Sequence, residues 1–166
     1  MELKREWPVR VIQLLAVPGL LLSFYMWLYH EDLLVAACGA SGWDDCGAVS
    51  GPGAPYASVG PIPVAALGFV GYAGIFLLAW LKDFVPLVED YLPELMVGVT
   101  GLALLFSVYL TALEVFVIHA LCRYCIVSAI FVIVMFLMAV AYLRLQAGAT
   151  DESWAATEAE VRAPLG

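Results

Sequence analysis

Charge is what this chain has least of. Asp, Glu, Lys and Arg together make up 13% of its 166 residues, against 64% that are hydrophobic, and a soluble globular domain cannot face water with so little polar surface. A soluble fold is excluded and an integral membrane protein is expected. Positive charge is scarcer still: seven Lys and Arg stand against fifteen Asp and Glu, a formal net charge of -8. Such a balance leaves no basic footprint for nucleic acid. Much of the negative charge lies at the chain ends and in the connections, including Asp151, Glu152, Glu158 and Glu160, so it is no signal of a partner.

Cysteine is the other scarcity. The four thiols form two pairs, Cys38 with Cys46 and Cys122 with Cys125, and nothing else in the chain offers comparable chemistry. Disulfide exchange at a membrane surface is the expectation. A zinc site from these cysteines and His119 would meet a tetrahedral ligand count, but it would not require so apolar a host, and no metal is expected.

Four stretches are long enough to cross a hydrocarbon core, which takes about 20 apolar residues. They run approximately over 9–29, 62–81, 95–117 and 121–145. The third and fourth nearly abut, with a tight turn around Ile118, His119 and Ala120, and so predict an antiparallel hairpin. Residues 30–61 form the one long connection, rich in Gly, Pro, Ala and Ser, and carry both Cys38 and Cys46. The fold class predicted is all-α, a four-span membrane protein with a long loop between its first and second spans.

Orientation follows from Lys and Arg, which are retained on the cytoplasmic side. Lys4, Arg5, Arg10, Lys82, Arg144 and Arg162 fall on one side of the four-span arrangement with both termini, and only Arg123 falls on the other. The termini are therefore expected in the cytoplasm of a cell membrane, with all four cysteines on the extracytoplasmic, oxidising face. Val35-Ala36-Ala37-Cys38 has the look of a lipoprotein cleavage box, but Tyr29, His30, Glu31 and Asp32 interrupt the apolar run just before it.

The second pair, Cys122-Arg123-Tyr124-Cys125, is a CxxC where an apolar run begins. Exchange proceeds through the thiolate, which a helix N-terminus favours through its unpaired N–H groups and dipole. Cys125, one turn further in, lies on nearly the same face, deeper in apolar surroundings. Arg123 adds positive potential to hold a thiolate. The loop pair encloses seven residues including Gly39, Ala40, Ser41 and Gly42, a small flexible ring suited to a shuttle, and Trp43 is placed to anchor it at the interface or to cap a quinone pocket.

Cys38-x7-Cys46-Gly47-Ala48-Val49, then Pro55-Tyr56-Ala57-Ser58-Val59-Gly60-Pro61-Ile62-Pro63-Val64 and Gly68, resembles the vitamin K epoxide reductase family. The run from Glu114 through His119 into Cys122-Arg123-Tyr124-Cys125 does so too. The resemblance spans roughly residues 9–145. It implies a four-helix transmembrane bundle around a quinone, whether ubiquinone, menaquinone or another naphthoquinone. Cys125 would react with the quinone, Cys122 would exchange with Cys46, and Cys38 would face an external thiol partner. Tyr56 and Ala129 occupy the places where the animal enzymes carry quinone-binding residues, and Asp44 and Asp45 stand where several homologues have Ser or Thr. Many bacterial homologues carry a fused thioredoxin-like domain for which there is no room here, so electrons are expected from a separate thioredoxin-fold (DsbA-like) protein. The expected organisation is a catalytic domain over 1–146 and an acidic tail over 147–166, disordered or a fraying helix.

The expected function is that of a membrane thiol-disulfide oxidoreductase, passing electrons from the partner through both pairs to the quinone pool of the lipid bilayer. The alternatives are a naphthoquinone or vitamin K epoxide reductase proper, and a non-catalytic four-span scaffold with two structural disulfides. Glu114 and His119 are ionisable groups at the outer end of the third span, candidates for proton transfer that water is expected to reach. Gly68, Gly71, Gly74, Gly98 and Gly101 read as helix-packing positions, and Pro18 as a kink in the first span.

Overall fold

The computed structural model describes residues 3–35, 40–41 and 44–162. Helix α1 (Leu3–His30) is followed by a loop containing the short strands β1 (Ala40–Ser41) and β2 (Asp44–Asp45), the five-residue helix α2 (Cys46–Ser50), and strands β3 (Ser58–Val59) and β4 (Ile62–Pro63). Helices α3 (Val64–Leu81) and α4 (Pro86–Leu113), a π turn (Glu114–Ile118) and α5 (Arg123–Arg162) complete the described chain. Both strand pairs are antiparallel ladders. The membrane-length apolar segments are Glu6–His30, Val64–Leu81, Tyr91–Ile118 and Arg123–Gly148, so the chain is an all-α, multi-pass membrane protein, as its apolar runs predict.

Each helix turns one narrow stripe inward. Val9, Ile12 and Ala16 of α1, Tyr72, Ile75 and Ala79 of α3, Leu92 and Met96 of α4, and Val132, Met135, Ala139 and Tyr142 of α5 form one buried cluster. The steps of three and four are the repeat of a single helical face. Large apolar residues off that stripe, such as Leu14, Leu21, Leu102 and Leu105, are exposed, as lipid-facing positions must be. Helix α1 packs on α3 and α5, and α4 packs on α5 and more sparsely on α3.

Pro18 lies inside an unbroken α1. Its neighbour Gly19 lets another helix come close: a Cβ there would meet the Tyr72 ring, 2.6 Å from both Cδ1 and Cζ. Tyr72 thereby reaches across to α5, its hydroxyl 2.8 Å from Ser128 Oγ and donating to Ser128 O at 3.2 Å. Of the glycines read as packing positions, Gly68 and Gly101 sit in ordinary contact with Ser23 and Phe136, whereas Gly71, Gly74 and Gly98 have nothing where a side chain would begin.

At the end that carries the α3–α4 connection, buried Lys82 pairs with Glu6 and, at 3.4 Å, with Asp83, while Arg10 lies 3.8 Å from Asp83. Burial alone lowers the Lys82 ammonium's pKa, but Glu6 and then Asp83 outweigh it and hold the value above the ordinary one. Glu6 and Arg10 of α1 and Lys82 and Asp83 of the α3–α4 connection thus gather at one end.

Of the two readings of the tail, the described part takes the helical one: α5 continues through Arg162. That stretch lacks apolar periodicity but is rich in Ala and Glu, strong helix formers, and Arg162 donates to Glu158 one turn back at 2.6 Å.

Candidate active site

The long loop does not hang free where it is described. Asp45 N–H donates to Leu121 O at 3.2 Å, and Asp44 forms a parallel bridge with Leu121. Asp45 also caps α2, its Oδ1 accepting from Ala48 N–H at 3.0 Å, a good residue for that task because its short carboxylate reaches the free N–H groups of a first turn. Cys46 opens α2, and the cap aims it inward. His30 Nδ1 lies 3.3 Å from Ser50 O and ties the far end of α2 to α1.

The hairpin between the last two spans forms the opposite wall. The π turn ends at His119, whose φ of 58° is left-handed, and Ala120 N–H donates back to Glu114 O at 3.2 Å. Extra turns of this kind occur often at functional sites. Here the turn drives Glu114 inward, to 3% exposure, and its Oε2 accepts the Cys122 N–H at 3.1 Å. The expectation that water reaches Glu114 is therefore corrected; His119, which is exposed, meets it.

Three of the four cysteines come together here. Cys46 is disulfide-bonded, while Cys122 and Cys125 are free thiols. Cys122 is fully buried, and its Sγ lies 3.3 Å from Cys46 Sγ, within the range of a near-attack contact. The Cys122 thiol pKa is held below its ordinary value. The bond from Cys125 contributes most, burial opposes it, and the N–H groups of Cys125 and Tyr124 add to it, against the nearby charge of Glu114. Cys125, hydrogen-bonded to Cys122 on one side, has its Sγ 3.9 Å from Ser50 Oγ and borders a cavity of about 460 Å³.

That cavity occupies the sparse seam between α3 and α4. Its walls are largely apolar, among them Leu22, Met26, Ile75, Val99 and Phe106, and Gly68 and Gly71 widen it. The space beside Gly71 therefore belongs to a cavity and not to a helix contact. Among its polar lining residues, Ser50 lies beside Cys125, Glu114 is close by, and Tyr72 and Ser128 are hydrogen-bonded to each other. An apolar chamber of this size with a few polar groups suits a small hydrophobic ring with polar substituents, and a quinone head group fits it.

Several sequence-predicted site residues lie elsewhere. Tyr56 is 45% exposed and does not line the cavity, whereas its neighbour Ala57, whose N–H closes a turn onto Ala54 O, does. Ala129 is likewise outside the lining, while Ser128 is within it, because one helical step turns a side chain by about 100°. Cys38 and Trp43 lie outside the described residues. Arg123, expected to stand over a thiolate, instead pairs with Asp44: its Nε donates to Oδ2 at 3.0 Å and to Oδ1 at 3.3 Å. Sequence reasoning missed Ser50 and Tyr72 as site residues, and gave Asp44 and Asp45 no role beyond a departure from the homologues.

Four membrane-length helices thus carry a free dithiol, one thiol of it buried, with a disulfide-bonded sulfur against it. A model of the vitamin K epoxide reductase family matches residues 10–140. The chain belongs to that family, and with membership comes membrane redox chemistry that links quinones to disulfides in general.

Proposed function

We propose that this protein oxidises the thiols of an extracytoplasmic thioredoxin-fold partner and passes the two electrons to a membrane quinone. The observation that carries the reading is the split of the CxxC pair, with Cys122 against Cys46 and Cys125 against the apolar cavity. In the direction of disulfide formation, the partner's dithiol reduces the Cys38–Cys46 bond and becomes a disulfide itself. Cys46 thiolate then attacks Cys122 of the oxidised CxxC; the Cys46–Cys122 bond forms and Cys125 leaves as thiolate. Cys38 thiolate attacks Cys46, which restores the loop disulfide and frees Cys122. The dithiol at 122 and 125 then carries the two electrons that arrived with the partner.

A quinone, when bound, supplies the two-electron acceptor that returns the CxxC to its disulfide. Ser50, Tyr72, Glu114 and Ser128 are the polar residues placed to orient it, and the apolar walls exclude water. Both termini are assigned to the cytoplasm, with the thiols on the outer face, a reading supported by Arg10 and Lys82 at the end opposite Arg123. A static scaffold is disfavoured, since a free dithiol with one of its sulfurs against a disulfide sulfur is a poor design for structural crosslinks.

The test is stopped-flow quinone reduction driven by a small thiol that bypasses the loop. Cys125→Ala abolishes it, while Cys38→Ala retains it yet no longer oxidises a thioredoxin-fold substrate. Equal loss in both variants with the small thiol contradicts the relay.

A further inference from the structure

Arg123 lies between the two reactive thiols in sequence, yet its guanidinium is spent on the loop. Besides the two Nε contacts, its Nη2 donates to Asp44 Oδ2, so the carboxylate is gripped by a fork. Alongside, the backbone of Asp44 and Asp45 is stitched to Leu121. Asp44 stands two residues before Cys46, and Arg123 stands one residue after Cys122. A clamp between those positions fixes the two sulfurs next to it, and the 3.3 Å Cys46–Cys122 contact is what it fixes.

We propose that Asp44 and Arg123 form a reversible latch that holds Cys46 on Cys122, and that closing it withdraws the Arg123 charge from Cys122. The inference rests on the relay reading above and names its positioning residues. The strength of the pair suits the task. Both side chains are partly exposed, Arg123 at 56% and Asp44 at 39%. Such pairs are weak and screened by salt, so the loop is oriented without being trapped, and a relay loop must be free to meet its partner. The fork makes the hold directional in a way that a lysine at the same position would not.

Opening the latch has a chemical consequence. The groups facing Cys122 are Cys46 from α2, Glu114 from the π turn, and Arg123, Tyr124 and Cys125 from its own helix, with Asp44 reaching it through Arg123. With Asp44 gone, Arg123 is an uncompensated cation beside Cys122 and favours its thiolate. With Asp44 in place that charge is partly offset. The site therefore alternates between a closed state that sets sulfur on sulfur and an open state that holds the CxxC thiolate for the acceptor side.

Two readouts on full-length protein test this. In a Cys125→Ala background, non-reducing peptide mapping measures the fraction held as the Cys46–Cys122 mixed disulfide. Asp44→Asn and Arg123→Gln each lower the ratio of linked to unlinked protein by about fivefold, the yield of a good exposed pair of ~1 kcal/mol. High salt lowers it in the parent but not in the neutral variants, and the reversed pair, Asp44→Arg with Arg123→Asp, recovers it. With Cys122 as the lone thiol, the pH midpoint of its alkylation is lower in Asp44→Asn than in Arg123→Gln, a split that a purely structural role would not produce. Parent-like crosslinking in both single variants, or identical midpoints, overturns the latch. Absence of the crosslink in the parent background overturns the relay itself, and the latch with it.

Discussion

Cys122 is a buried thiol kept acidic by its neighbours. Burial works against its thiolate, and Glu114 adds an opposing charge, yet the bond from Cys125 and two N–H groups at the start of α5 prevail. Because the pKa is lowered, the reactive form persists below the range of an ordinary thiol, about 8.5, and is lost as pH falls through the lowered value. Cys125→Ala removes the largest favourable contribution, so the alkylation midpoint of Cys122 moves up, as mass-spectrometric iodoacetamide profiling would show. An unchanged midpoint would mean that the helix start alone sets the acidity. Sequence made the two thiols and their helix start legible. It did not reveal the pairing of Arg123 with Asp44, whose partners are 79 residues apart and which only the docked loop brings together.

At the scale of elements, the site depends on two departures from regular structure. The π turn places Glu114 beneath Cys122, and the Asp45 cap presents Cys46 from the loop. Neither was legible beforehand: the Glu114 run reads as plain apolar helix, and an aspartate before a cysteine becomes a cap only once α2 exists. Tyr56 and Ala129 show the same limit, since a resemblance assigns a neighbourhood while one residue's step decides which side chain faces inward. The close approach at Gly19 is a third such feature. Gly19→Val forces the Tyr72 ring away from α1, an overpacking that costs typically 1–3 kcal/mol. A lower thermal midpoint in detergent is expected, with loss of the Tyr72–Ser128 contact that shapes the cavity. A variant as stable as the parent would mean that α1 and α3 can part without cost.

For the whole molecule, the four spans were legible because lipid demands long apolar runs with internally satisfied backbones. The helical extension to Arg162 was legible only as one of two readings, because a segment rich in Ala and Glu without apolar periodicity fits a helix or a disordered tail equally. The asymmetry of Lys and Arg predicts that a periplasm-reporting fusion is silent after Gly166 and active in the loop between α1 and α3; the reverse would place the thiols in a reducing compartment. The central claim is that electrons cross between the pairs at Cys46 and Cys122. The most direct measurement is non-reducing peptide mapping of Cys125→Ala, in which Cys38, Cys46 and Cys122 all remain free to choose. The account predicts Cys46 joined to Cys122; Cys38 joined to Cys122 in its place would contradict it.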